Sequence, residues 1–163
     1  MTQKLLDMAG IGAKRLHLAW VSSAEAQRFV EIATDTVESV RQQGALDGKA
    51  LAMALAAAEM TVNSETIRWL VGKEVKITTQ GDVYGRKWDV ESYEEILHKE
   101  LEREYQKNLI VLAIKKGFTS VRDISTEIGI DLLRISYLLA DLEKTNQVEF
   151  TGMKDHKPVF AVH

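Results

Sequence analysis

Two adjacent serines, Ser22 and Ser23, sit where an alternating apolar run gives way to a helical pattern, in RLHLAWVSSAEAQRF. In α/β proteins, the place where a strand breaks into a helix often holds a phosphate or a cofactor at the helix N-terminus. A serine nucleophile would need a base, and the nearest histidine in sequence is His17, five residues before Ser22. The stretch has no glycine-rich turn. Ser22 with Glu25 instead fits the capping-box pattern S-x-x-E, in which each side chain satisfies a free backbone N–H of the other residue. The serines therefore read as a helix cap.

Other chemistry-bearing residues are scattered. The four histidines, at 17, 98, 156 and 163, do not share the spacing of a metal motif. Asp155–His156 reads as a turn. Cysteine is absent, so these 163 residues hold no disulfide, thiolate zinc site or cysteine-ligated iron–sulfur cluster. The carboxylates of ESYEEILHKELERE fall at the spacings of a solvated helix, with pairs such as Glu95–Lys99. GDVYGRKW resembles no phosphate loop, because its glycines are separated by residues that prefer strands. An enzyme built on a middle-segment carboxylate would need a pocket around Tyr84 and Trp88. No catalytic residue, cofactor-binding residue or metal ligand is assigned.

The elements that would position these residues fall into three segments within a chain of ordinary composition, 45% hydrophobic and 28% charged. No apolar run approaches the roughly 18–20 residues needed to cross a bilayer, so no membrane insertion is expected. The opening MTQKLLDMAGIG lacks a signal-peptide core, and a cytoplasmic location is expected. Net charge is −3. Residues 1–104 hold 13 basic against 17 acidic side chains, and residues 105–163 hold 8 against 7. Neither part has the basic excess of a protein built to saturate DNA phosphates.

Residues 1–47 read as a short helix closed by Leu5, Leu6 and Met8, a strand over 15–21, and a helix over about 23–43. Phe29, Ala33, Val37 and Val40 recur at helical spacing and are expected to pack on a sheet. Gly44 is the stop. A lone strand cannot form a ladder, so the segment looks like the end of an α/β domain. The rest of its sheet would lie in another chain or in strands elsewhere in this one.

Residues 48–104 open on an alanine-rich helix, about 48–72, with Leu51, Leu55, Ala58 and Val62 as one stripe. VKITTQGDVYGRKWDV reads as a hairpin with Gly81 and Asp82 in the turn. A second S-x-x-E, Ser92 to Glu95, opens a charged helix ending near Tyr105.

Residues 105–163 give three helices and a hairpin. The first helix stops at Gly117, and the second is capped by Thr119 or Ser120. The third is capped by Asp131 and faces Leu133, Ile135, Leu138, Leu139 and Leu142 inward. The strands that follow turn at Lys154–Lys157. This is the element order of a winged helix-turn-helix, with its glycine-bearing joint at Gly129–Ile130–Asp131. Under a DNA-binding reading, Arg134 and Tyr137 would face the groove and Lys154 and Lys157 the backbone. Asp131, Asp141, Glu143 and Asp155 oppose that reading, and a protein-docking role is favoured.

Trp20, Val21, Ser22, Glu25 and Phe29, preceded by LLDMAGIGAKRL, carry a resemblance. They resemble the W-[VI]-S-x-x-E strand and helix at the C-terminal end of the methyl-viologen-reducing hydrogenase delta subunit family. IRWLVGKE at 67–74 and DVYGRKW at 82–88 look similar to an extension found in longer bacterial members. Such subunits link a hydrogenase or other dehydrogenase to a heterodisulfide-reductase-type flavoprotein through a cysteine-bound iron–sulfur cluster. This sequence departs from the family in having no cysteine, so no cluster ligand carries over.

The resemblance implies a cysteine-free C-terminal half of such a subunit, with a winged-helix extension. It implies partners too: an iron–sulfur-bearing hydrogenase-delta-like chain, which would complete the sheet, and a flavoprotein subunit. The iron–sulfur cluster and flavin would sit in those chains. Leu16, Leu18, Trp20 and Phe29 would form the partner interface. The fold expected is α+β and mostly helical. The function expected is a non-catalytic docking subunit of an electron-transfer complex. The competing expectation is a winged-helix transcriptional regulator.

Overall fold

The computed structural model describes residues 1–81 and 83–163. The mostly helical α+β expectation holds. Among the described residues there are seven α-helices and one two-stranded antiparallel sheet, and 63% of the chain is helical. The chain divides into two compact units, residues 1–52 and 53–163.

The first unit contains α1 (Thr2–Met8), a 3₁₀ turn (Ala13–Arg15) and α2 (Ala26–Gln42). The strand expected over 15–21 does not form. Leu16 has extended backbone angles, but residues 16–21 carry no regular structure. Among the described residues, no backbone–backbone hydrogen bond involves residues 17–21. The physical reason is the one the sequence raised, that a strand needs a partner. The only strands described pair with each other, which removes the idea that strands elsewhere in this chain complete the sheet.

Arg15 organises this unit, although no sequence pattern selects it. Its guanidinium donates to the carbonyls of Ile11 (3.1 Å), Gln43 (3.1 Å) and Gly44 (2.8 Å). A cation on the last carbonyls of α2 satisfies acceptors that the helix leaves open and opposes the negative end of its dipole.

In the second unit, the long helix expected over 48–72 is broken. α3 (Ala52–Asn63) and α4 (Glu65–Val75) meet at Ser64, whose hydroxyl accepts the Ile67 N–H at 3.3 Å. Serine competes well at an N-cap, and here it starts a new helix. The buried face of α3 is Ala57 and Thr61, not the expected stripe, of which Leu55 and Val62 are exposed. Thr61 is held by Asn108, whose amide donates to the threonine hydroxyl at 3.0 Å.

The hairpin expected after α4 is also absent. The chain continues through a π-helical turn, Lys76–Gln80, and then reverses at Gly81 (φ +83°). Thr78 reads as a strand former, yet its hydroxyl donates back to the Glu74 carbonyl at 2.8 Å and keeps the helical path. Asp82, assigned to the turn from sequence, lies outside the described residues.

The two helices expected to meet near Tyr105 are one, α5 (Val90–Lys115). No glycine or proline interrupts it, and Tyr93, Leu97, Leu101 and Tyr105 form a continuous buried i,i+4 stripe. Its cap is Asp89, not Ser92. The Asp89 carboxylate accepts the Ser92 N–H and the Ser92 hydroxyl, both at 2.8 Å.

Beyond α5 the expected order is present: α6 (Val121–Ile128), α7 (Leu132–Lys144), β1 (Val148–Lys154) and β2 (Lys157–Val162). Ser120 caps α6, and Asp131 caps α7 through the Leu133 and Arg134 N–H groups. Gly129 is left-handed (φ +69°), as the joint requires. Asp155 and His156 both have positive φ, the signature of a tight two-residue hairpin turn. A bulge falls between Phe150 and Gly152, and an isolated bridge joins Ser120 to Val159. The core unites Ile110 and Ile114 of α5, Ile124 of α6, Ile135, Leu138, Leu139 and Leu142 of α7, and Val148 and Phe160 of the hairpin. Leu133 is the exception, exposed where it was expected to face inward.

One ion pair ties α5 to α7. Arg103 donates to Asp141 at 2.6 Å, and that hydrogen bond holds the Asp141 carboxyl below the usual carboxylate range. A depressed folded-state pKa contributes stability above the ordinary pKa, and that stability is lost as pH falls through the folded value. Both side chains are partly solvated, so the contribution is about 0.2–1 kcal/mol. Arg103→Met should therefore lower stability near pH 7 and leave it nearly unchanged near pH 2, as read from urea melts at the two pH values.

Candidate functional site

The first unit presents apolar side chains that its own fold leaves uncovered. Leu18 is 85% exposed, Trp20 94% and Phe29 61%. α2 has no buried residue over 17 positions, and Val30 and Val37 lie open on it. Singly exposed apolar residues are ordinary, whereas here a tryptophan, a phenylalanine and a helical stripe are exposed within one segment.

Two shallow grooves show which of these residues come together. Leu16, Leu18 and Ile32 share one with Gln3. Val21, Phe29 and Val30 share the other with Ser22 and Ser23. Leu16 is half-buried, its carbonyl accepting from Gln3 at 2.9 Å. Trp20 lines neither groove and extends into solvent.

The serines have structural employment. The Ser22 N–H donates to the Glu25 carboxylate at 2.8 Å, and the Ser22 hydroxyl accepts the Ala24 N–H at 3.4 Å. Glu25 also receives Arg28 at 3.1 Å. Its carboxyl is held below the ordinary range, first by the Ser22 N–H and then by Arg28. Half of the expected capping box is thus present. Glu25 reaches back, while its own N–H goes to the Ser22 carbonyl at 3.0 Å and not to the hydroxyl. α2 starts at Ala26 with Glu25 at its N-cap position and no side-chain cap hydrogen bond, so the expected serine cap of this helix does not form.

Residues 1–44 match the family model for the methyl-viologen-reducing hydrogenase delta subunit. The matched region ends within two residues of the end of α2 and contains the entire exposed surface just described. It does not extend to IRWLVGKE or DVYGRKW. No curated protein and no solved structure matches the chain. A cysteine-bound cluster of the kind the resemblance implies does not fit these residues, because no thiolate is present. Among the described residues, no group of three histidine or acidic side chains is placed to hold a metal ion. No described helix is long and apolar enough to cross a membrane.

The residues named for the DNA-binding alternative all lie in the second unit. The Arg134 Nε donates to the Gln106 side chain at 2.7 Å, which ties the guanidinium back to α5. Tyr137 is exposed, and Lys154 and Lys157 flank the hairpin turn. The exposed part of α7 is led by apolar side chains, Leu132 and Leu133, alongside Tyr137.

Proposed function

We propose that this protein is a non-catalytic docking subunit of an electron-transfer complex of the heterodisulfide-reductase type. Residues 16–21 would add as a strand to the sheet edge of a cluster-bearing α/β partner, and α2 would cover that sheet. The observation that carries the reading is the state of residues 17–21. They lie inside the part that matches a hydrogenase delta subunit, they make no backbone–backbone hydrogen bond among the described residues, and they carry the exposed Leu18 and Trp20. Addition of a strand to an exposed edge satisfies those backbone groups, and alternate side chains such as Leu16, Leu18 and Trp20 supply the specificity. The last 59 residues, read as a winged helix, would contact a second subunit through Leu132, Leu133 and Tyr137. The iron–sulfur cluster and flavin would belong to the partners, and the complex would be cytoplasmic.

Purification of the native complex, with identification of the co-purifying chains and assay of iron and flavin, tests this reading. A stoichiometric iron–sulfur-bearing hydrogenase or dehydrogenase chain is the expected result. Isolation of the chain alone would overturn it. So would sub-micromolar, salt-sensitive binding to duplex DNA that is lost on Arg134→Ala.

A further inference from the structure

The second unit contains a cavity that the docking role does not use. It measures about 900 Å³ and lies where the expected hairpin failed to form. One wall is a single helical face: Trp69, Lys73, Lys76 and Ile77 follow the i, i+4, i+7, i+8 spacing from α4 into the π-helical turn. The other wall is the returning chain, with Arg86 and Trp88.

Backbone geometry holds the two walls in place. Gly81 turns the chain with φ +83°, and a Cβ there would stand 2.8 Å from the Arg86 carbonyl oxygen. The Trp88 N–H donates to the Ile77 carbonyl at 3.2 Å. π-Helical turns of this kind are rare and concentrate at functional sites.

The lining has an unusual chemistry. Two indoles offer flat apolar faces, and two lysines one turn apart offer cationic ends. The lining contains no carboxylate among the described residues. Asp89, the acidic residue next to Trp88, is committed to Ser92. The combination of indoles with lysines matches a planar heterocycle that carries an anion. The volume is that of a small-molecule site. The chain's net charge of −3 argues against a nucleic-acid polymer, which needs a wider basic field.

We propose that this cavity binds a free nucleotide, its base against Trp69 and Trp88 and its phosphates on Lys73 and Lys76. Phosphate is gripped by side-chain cations here, not by a glycine-rich backbone cradle. The inference is independent of the docking role, since it concerns the other unit and requires no partner chain.

Calorimetric titration of the full chain with ADP, adenosine and inorganic phosphate tests it. Saturable ADP binding is expected, at least about tenfold tighter than adenosine or phosphate alone. Lys73→Ala and Lys76→Ala should each weaken ADP binding about tenfold, the scale of one charge-assisted contact, with adenosine binding unchanged. Both lysines are exposed, so these variants retain the fold. Trp88→Leu should weaken ADP and adenosine alike. Absence of ADP binding at millimolar concentration would overturn the proposal. Equal binding of ADP and adenosine would overturn it too, as would ADP binding that is indifferent to both lysine substitutions.

Discussion

Trp20→Ala is expected to leave the melting temperature of the isolated chain unchanged while weakening association with the proposed cluster-bearing partner by at least about thirtyfold. The two halves of this expectation come from the same number, the 94% exposure of the indole. A side chain that touches almost nothing contributes almost nothing to folding, and surface substitutions of this kind stay within about 0.5 kcal/mol. In an interface the same indole is the type of residue that anchors binding, where truncation costs about 2 kcal/mol or more. Each 1.4 kcal/mol is about a factor of ten in affinity. Phe29→Ala should act in the same direction with a smaller effect, because Phe29 already shares a groove with Val21 and Val30. Tyr137→Ala is the control: it is about as exposed as Phe29 but lies in the second unit, and it should leave this association intact. The measurements are a thermal melt of the chain alone and a titration against the purified cluster-bearing partner. If Trp20→Ala lowers the melting temperature by several degrees, the indole is buried in the free chain. If it leaves the affinity unchanged, residues 16–21 are not the interface.

The elements that follow α5 were legible because each of their signals is local. Ser120 and Asp131 cap where their side chains reach the next turn. Gly129 supplies a left-handed joint, and the apolar spacing of Ile135, Leu138, Leu139 and Leu142 states which face is inside. Leu133 was misassigned because it lies two residues before Ile135, off the helical spacing of the buried Ile135, Leu138, Leu139 and Leu142.

The middle of the chain was less legible, for a different reason. Lys76–Gln80 has strand-like composition, but the helix that precedes it extends through it, and threonine hydroxyls can bond back to the helix as well as pack in a sheet. A sequence pattern cannot say which neighbour wins. The same limit hid the cavity: the reversal at Gly81 was legible, but the helical path that puts Trp69, Lys73, Lys76 and Ile77 on one face was not. Around Ser22 the capping pattern identified the carboxylate correctly and the hydroxyl wrongly. Arg15 left no signal, because two of its three acceptors are backbone carbonyls 28 and 29 residues away.

The second large expected effect separates the two units by stability. A chain beginning at residue 53 should unfold cooperatively with a melting temperature close to that of the full chain, whereas residues 1–52 alone should show no cooperative transition. In the first unit only Leu5 and Ala9 are buried. Ordering the backbone costs about 1–2 kcal/mol per residue, and two buried side chains, one of them an alanine, offset little of that. The second unit holds the continuous core of α5, α6, α7 and the hairpin, together with the Leu70, Tyr93 and Leu97 cluster. Far-UV circular dichroism melts of the two fragments check this directly. A sharp transition for residues 1–52 would mean that the exposed stripe of α2 needs no partner, and it would remove the physical motive for docking. A broad, weak signal that sharpens when the cluster-bearing partner is added would mean that this segment completes its fold by binding. In that case the association energy must also cover the ordering of the segment, so affinity should fall well below what the buried area alone suggests.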